Sequence, residues 1–187
     1  GKDQFARDRT SVLASAATAP DASARMLERH VYTVLQLGDD LADEAKELGR
    51  AHAKRARREL ASGRPMALLS GGETRVVLGE GGGRGARNTE YLAALALELG
   101  GCPGVYALAA DTDGIDGDGD HAGATIEPDT ISHGAAKGLS LASALARHDT
   151  YGYFDACGSL LRTGPTRTNV NDFRLILCHP ETHKNPV

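Results

Sequence analysis

Apolar residues follow two patterns along this chain, one spaced three to four residues apart and one in short unbroken runs. From Phe5 to Leu27 the pattern is Ala-rich and helical, interrupted at Pro20. His30 to Leu37 (HVYTVLQL) is a β-branched and aliphatic run that predicts a buried strand. Gly38-Asp39-Asp40 then predicts a turn and cap for a long helix reaching to about Leu60. Its apolar stripe is Leu41, Ala45, Leu48, His52 and Ala56, with Lys46, Arg50, Lys54, Arg57 and Arg58 mostly elsewhere. Gly63-Arg64-Pro65 ends it. Met66 to Ser70 and Thr74 to Leu78 read as strands joined through Gly71-Gly72-Glu73, and a loop from Gly79 to Gly85 leads into a helix over about Asn88 to Leu99. Gly100-Gly101 closes that helix. Gly104 to Ala110 is a strand running into an Asp/Gly loop, Asp111 to Gly123. Helical segments are expected over about Asp129 to Leu145 and Thr150 to Cys157, and strands at Leu160 to Thr163 and Phe173 to Cys178, before a polar tail from His179. Alternating strands and helices predict a layered α/β domain.

Composition narrows the chemistry. A chain of 187 residues is long enough for a core without metals or disulfides. A net charge of -4 gives no general attraction to phosphate backbones, so nucleic acid is not an expected partner. No apolar run approaches the ~20 residues of a membrane span. The three cysteines, Cys102, Cys157 and Cys178, are far apart and form no Cys-x-x-Cys pair, which predicts a reduced, cytoplasmic protein. The 23 glycines cluster beside charge, as when a backbone must come close to a small anionic ligand.

Four loops at predicted strand ends carry the candidate chemistry, where open α/β sheets bind ligands. In the first, Gly71 and Gly72 can turn backbone N–H groups toward an anion, with Glu73 and Thr74 beside them; the alternative is a tight hairpin. The second runs from Gly79 through Arg84 to Glu90 and predicts an anion cradle at a helix start, with Arg87 and Asn88 best placed. Its Gly81-x-Gly83-x-x-Ala86 spacing also fits a relaxed dinucleotide fingerprint, without a convincing acid about 20 residues further on. The third, Asp111-Thr112-Asp113-Gly114-Ile115-Asp116-Gly117-Asp118-Gly119-Asp120, holds carboxylates at a density suited to Mg²⁺ or Ca²⁺, or else forms an acidic turn. A calcium-binding hand is not expected, because His121 stands where that loop needs glycine and a strand rather than a helix precedes it. The fourth, Gly164 to Asp172, offers Thr166, Thr168, Asn169, Asn171 and Asp172 on a Gly-Pro turn. His52, on the helix stripe, reads as a packed core or boundary residue.

In order and spacing, SGGETRVVL, GRGARNTE, AADTDGIDG and DTYGYFDACGSLLRTGPTRTNVNDFRLIL closely resemble the C-terminal MOFRL domain of the glycerate 2-kinase family, whose members are often labelled hydroxypyruvate reductases. Upstream, LGDDLADEAKELGRAHA resembles the segment closing that family's N-terminal domain. The resemblance implies a three-layer α/β/α sandwich with a mixed sheet over 63–187, preceded over 1–62 by a remnant of a Rossmann-like N-terminal domain. It implies phosphorylation of D-glycerate at its 2-hydroxyl by ATP with Mg²⁺, in a cleft completed by the missing N-terminal domain, without which the fragment is inactive. It places Arg87 as the catalytic group that stabilises phosphoryl charge. Gly71, Gly72, Glu73, Thr74, Asn88, Glu90, Thr112, Gly164, Thr166, Thr168, Asn169 and Asp172 are then the substrate and nucleotide candidates, and Asp111, Asp113 and Asp116 the metal candidates. Gly85-Ala86 and Thr89 depart from the Gly-Gly and Gln usual around the family's Arg-Asn pair. An NAD(P)H-dependent hydroxypyruvate reductase and a non-catalytic anion-binding domain are the alternative readings; a homodimer is left open.

Overall fold

A strand that is apolar on both faces belongs inside a sheet, and Met66–Ser70 is buried at every position as strand β2. In the computed structural model, which describes residues 17–77 and 82–180, β1 (Thr33–Gln36) pairs parallel to β2 on one side. On the other side β2 pairs antiparallel with the last strand of the chain, β6 (Asp172–Cys178). Beyond β6 come β3 (Val105–Asp111), β4 (Gly123–Ile126) and the two-residue β5 (Leu160–Leu161), all paired antiparallel to their neighbours. The result is a mixed six-stranded sheet in the order β1-β2-β6-β3-β4-β5.

Alternation along β3 and β6 gives the sheet a dry face, formed by Val105, Ala107 and Ala109 with Ile176 and Cys178. Helices α2 (Ala45–Leu60) and α3 (Arg87–Leu99) cover that face. The stripe residues Ala45, Leu48, His52 and Ala56 are buried as the periodicity predicts, and Arg57 reaches the carbonyls of Glu98 and Leu99 at the C-terminus of α3. Almost every side chain of α3 is buried, because α2, the sheet and the later helices surround it. Those later helices are α4 (Thr130–Ala136), α5 (Leu141–Ala146) and α6 (Thr150–Cys157). Ala19 and Ser23 of helix α1 (Thr18–Glu28) share a cavity with Leu108, Ala110 and Phe173, on the opposite face. Helices therefore flank the sheet on both sides, as expected for the α/β/α class. Among the described residues no helix is long and apolar enough to cross a membrane.

Several boundaries differ from the pattern reading, each for a tertiary reason. The first strand starts at Thr33, because Val31 turns the chain with φ 66 and Tyr32 N–H bonds back to Leu27. Helix α2 starts at Ala45, because the segment before it is held by residues 74–76: Arg75 N–H bonds Asp43 and Ala45 N–H bonds Arg75. Of the strand expected over Thr74 to Leu78, the same pairing replaces the described part, residues 74–77, while Leu78 lies outside the described residues; β2 already has both neighbours, so the chain leaves the sheet after Ser70. Strand β4 is unexpected, since four residues opening on Gly123 give little pattern. A Cβ at Gly123 would lie 1.9 Å from the Ala109 carbonyl oxygen, so glycine permits that pairing. The helical stretch expected from Asp129 to Leu145 breaks at Gly138, with φ 75. The division expected between residues 62 and 63 runs through one sheet and one core, since β1 pairs with β2 and α2 packs on α3. Residues 1–16, 78–81 and 181–187, which include part of the first predicted helix, Gly79, Gly81 and most of the tail, lie outside the described residues.

Helices α2 and α3 meet at Gly49, where a Cβ would lie 2.4 Å from the Tyr91 carbonyl oxygen. Helix propensity alone favours Gly49→Ala by up to about 1 kcal/mol. The contact predicts the opposite sign, a loss of about 1–3 kcal/mol in urea unfolding, from overpacking. A more stable variant would show that the helices can separate there without cost.

Candidate active site

The C-terminal ends of β2 and β3, the start of β6 and the N-terminus of α3 converge at one end of the sheet. Register decides which side chains meet there: Asp111 lies opposite Asp172, and Ser70 opposite Arg174. Asp172 and Arg174 share the dry face with Ile176 and Cys178, so a charged pair begins an otherwise apolar row. Arg174, absent from the expected site, is 1% exposed. Its guanidinium donates to Asp172 Oδ2 at 2.6 Å, to the Gly71 carbonyl at 2.8 Å and to Thr74 Oγ1 at 3.3 Å. The two-residue alternation over Asp172 to Cys178 was the signal that could have found it.

Asp172 accepts from four groups in all. Asn88 Nδ2 bonds Oδ1 at 2.8 Å, Arg87 Nη2 lies 3.5 Å from the same oxygen, and Thr74 N–H lies 3.4 Å from Oδ2. Arg87 also donates to Asp111 at 2.7 Å and to Glu73 at 2.9 Å. Burial opposes the Arg87 charge, but Asp172, Glu73, Asp111 and Asp116 outweigh it and raise its pKa above the ordinary arginine value. Asp111 is held above the usual carboxylate range by burial first, then by Asp113 and Asp172, against the Asp113 N–H and Arg87.

Helix α3 begins at Arg87 after Ala86, which has no capping side chain. Asp116 supplies the cap from across the fold, accepting from Asn88 N–H at 3.1 Å, Thr89 N–H at 3.3 Å and Asn88 Nδ2 at 3.2 Å. The helix N-terminus expected to bind an anion is thus closed by a carboxylate. Gly83 and Gly85 of the second loop are also occupied. Cβ atoms at Gly83 and Gly85 would lie 2.6 and 2.7 Å from the His148 carbonyl oxygen, Tyr151 N–H bonds the Arg84 carbonyl, and the Arg84 guanidinium stacks 3.7 Å over the Tyr151 ring. These glycines serve a backbone-to-backbone contact rather than an open cradle.

The remaining candidates divide. Glu90 is fully buried and turned from the cluster, bonded to His148 Nδ1 at 2.8 Å with Lys46 Nζ at 3.5 Å; neither partner was among the expected residues. Gly71 and Gly72 hold the cluster through their carbonyls, and Gly72, at φ 99, sits against the Leu41 backbone. The fourth loop docks on the third: Thr112 Oγ1 accepts from Val170 N–H and donates to the Asn171 carbonyl, and Thr166 bonds Thr112 and Asp113. A Cβ at Gly114 would lie 2.1 Å from the Gly164 carbonyl oxygen. Asn169 Oδ1 accepts from Asn171 N–H, and Thr168 lies exposed on the same loop. Asp111, Asp113 and Asp116 do not converge on one point. Asp111 holds Arg87 and the Asp113 N–H, Asp113 caps Ile115 N–H, and Asp116 caps α3. Among the described residues no group of three His, Cys, Asp or Glu side chains is arranged to hold a metal ion.

An α/β domain with a half-buried arginine set among carboxylates at its strand ends is the class these observations define. The family model described as MOFRL family matches residues 66–172, and the chain belongs to that family. An Agrobacterium vitis protein named "Putative hydroxypyruvate reductase" is 46% identical over 171 residues, covering 89% of this chain and 44% of its own length. The D-glycerate 2-kinase of Thermotoga maritima is 41% identical over 133 residues, covering 69% of this chain and 32% of its own. The solved glycerate kinase from Thermotoga maritima superposes with a TM-score of 0.86 at 32% identity, over 91% of this chain and 42% of that one. The chain therefore spans less than half the length of these relatives.

Burial, reinforced by Asp172, pushes the Asp116 carboxyl up to about 7 against the bonds from Asn88 and Thr89. A folded pKa above the unfolded 3.8 means the folded state holds the proton more tightly, so this contribution is present below 3.8 and lost as pH rises through 7. His52 acts oppositely. Burial, then the Arg174 charge, lowers it to about 4, so its contribution is present above 6.5 and lost as pH falls through 4. Comparison with Asp116→Asn isolates the first effect: wild-type stability relative to the variant should fall between pH 4 and 7 in urea unfolding. Parallel pH curves would show that Asp116 titrates normally.

Proposed function

We propose that the chain is the C-terminal part of an ATP-dependent kinase that phosphorylates D-glycerate at its 2-hydroxyl to give 2-phosphoglycerate. The observation that carries this reading is Arg87, whose side chain is 27% exposed and pinned by the buried Asp111 and Asp172. Phosphoryl transfer depends mainly on positioning and on fixed charge where negative charge develops, and a guanidinium anchored from behind supplies both. The names of the Thermotoga maritima D-glycerate 2-kinase and of the mouse glycerate kinase, 38% identical over 181 residues, support the substrate class. ATP is the proposed donor, with Mg²⁺ as its counter-ion. Glu73, Asp111 and Asp172 outnumber the two guanidiniums of Arg87 and Arg174, so a bare polyphosphate would be repelled and needs a cation. Thr168 and Asn169 on the fourth loop and Asp113 on the third are the groups proposed to meet the hydroxy acid.

The rest of a protein of the relatives' length is proposed to form the opposite wall of the cleft, so that this chain alone does not turn over. A cytoplasmic location is proposed from its three free cysteines. For the reductase reading, the packing of Gly83 and Gly85 against the backbone of Arg147 and His148 leaves those glycines no room beside a pyrophosphate.

In a protein carrying this chain with the remainder of the relatives' length, glycerate-dependent ADP production from Mg-ATP is expected, without hydroxypyruvate-dependent oxidation of NAD(P)H. Arg87→Ala should lower kcat by about 10²–10³, the cost of removing one fixed donor to developing charge. NAD(P)H oxidation without ADP would transfer the assignment to the reductase. The 187-residue chain alone should give no ADP, and turnover by it would refute the shared-cleft proposal.

A further inference from the structure

We propose that Glu73 is an internal stand-in for an anionic ligand on Arg87, and that a substrate oxyanion, carboxylate or phosphate, takes its place on Nη1. The three carboxylates on this guanidinium are unequal. Asp111 and Asp172, at 5% and 0% side-chain exposure, hold Nη2, whereas among the described residues Glu73, at 62%, alone holds Nη1. An exposed ion pair is weak and exchanges readily, while the two buried ones keep the guanidinium in place when it does. Among the described residues Nη1 thus has an exposed partner where Nη2 has buried ones, and an arriving anion can take that place with one oxygen.

The backbone around Glu73 permits the exchange. Gly72 and Thr74, its neighbours, are both fixed by Asp172, which donates its N–H to the Gly72 carbonyl at 3.0 Å and accepts from Thr74 N–H. The Glu73 side chain can therefore swing away about its own torsions while the Gly-Gly turn stays where it is. A carboxylate on Nη1 also keeps a fully charged arginine from attracting unrelated anions before the substrate arrives.

The inference rests on reading Arg87 as the group that meets an anionic ligand, and the test separates the two. Isothermal titration of the chain with inorganic phosphate and with D-glycerate should show Glu73→Gln binding one or both about two- to fivefold more tightly than wild type, the scale of an exposed ion pair. Which anion gains identifies the oxyanion that Arg87 receives. Glu73 is exposed, so the variant should unfold at the wild-type temperature. Arg87→Gln should lose about tenfold or more, the scale of a charge-assisted bond. Weaker or unchanged binding in Glu73→Gln, or no binding by either form, would overturn the proposal. Tighter anion binding without ADP production in the longer protein would keep the stand-in and remove the kinase; ADP production with unaltered affinity would do the reverse.

Discussion

The Asp172 carboxylate carries a charge with no access to water, and much of this end of the molecule is arranged around satisfying it. An unpaired buried carboxylate costs several kcal/mol, and breaking a buried pair about 3–5 kcal/mol, so its partners must come from wherever the chain can supply them. They come from Arg174 on the same strand, Asn88 and Arg87 on α3, and Thr74 after β2. Four donors from three separate segments fix how β2, β6 and the helix meet. Because β6 sits between β2 and β3, that one carboxylate lies where all the relevant strand ends can reach it.

Asp116 performs a comparable task for the helix. Its oxygens close the first turn of α3, which orients Arg87 at the start of that turn while removing the helix end as an anion site. Gly83 and Gly85 before the helix are likewise consumed by the close approach of residues 147 and 148. What this end of the sheet presents is side chains, among them one guanidinium held by acids of graded exposure.

Much of the fold was legible because the patterns were unambiguous. Met66–Leu69 is an unbroken apolar run closed by Ser70, and 87–99 carries a helical pattern bounded by Gly100; both elements fall where the sequence places them. The residues around the cluster were legible by type, since loops of Gly, Asp, Thr and Asn at strand ends are unusual in composition. Their individual roles were not. Glu90 and Arg87 stand three residues apart on one helix, yet one faces a buried histidine and lysine and the other faces carboxylates. Spacing cannot say which neighbours a helix face meets.

The sequence by itself determined the α/β alternation, the buried strand β2, the α3 helix and the family, because these depend on local period and on motifs. Tertiary structure alone decided that β6 enters the middle of the sheet and that Arg174 lies under the site. It also decided that Asp116 caps a helix and that the 83–85 glycines meet a backbone. Each of those depends on groups 26 or more residues apart, brought together by register and close packing, and no local pattern encodes a contact at that distance.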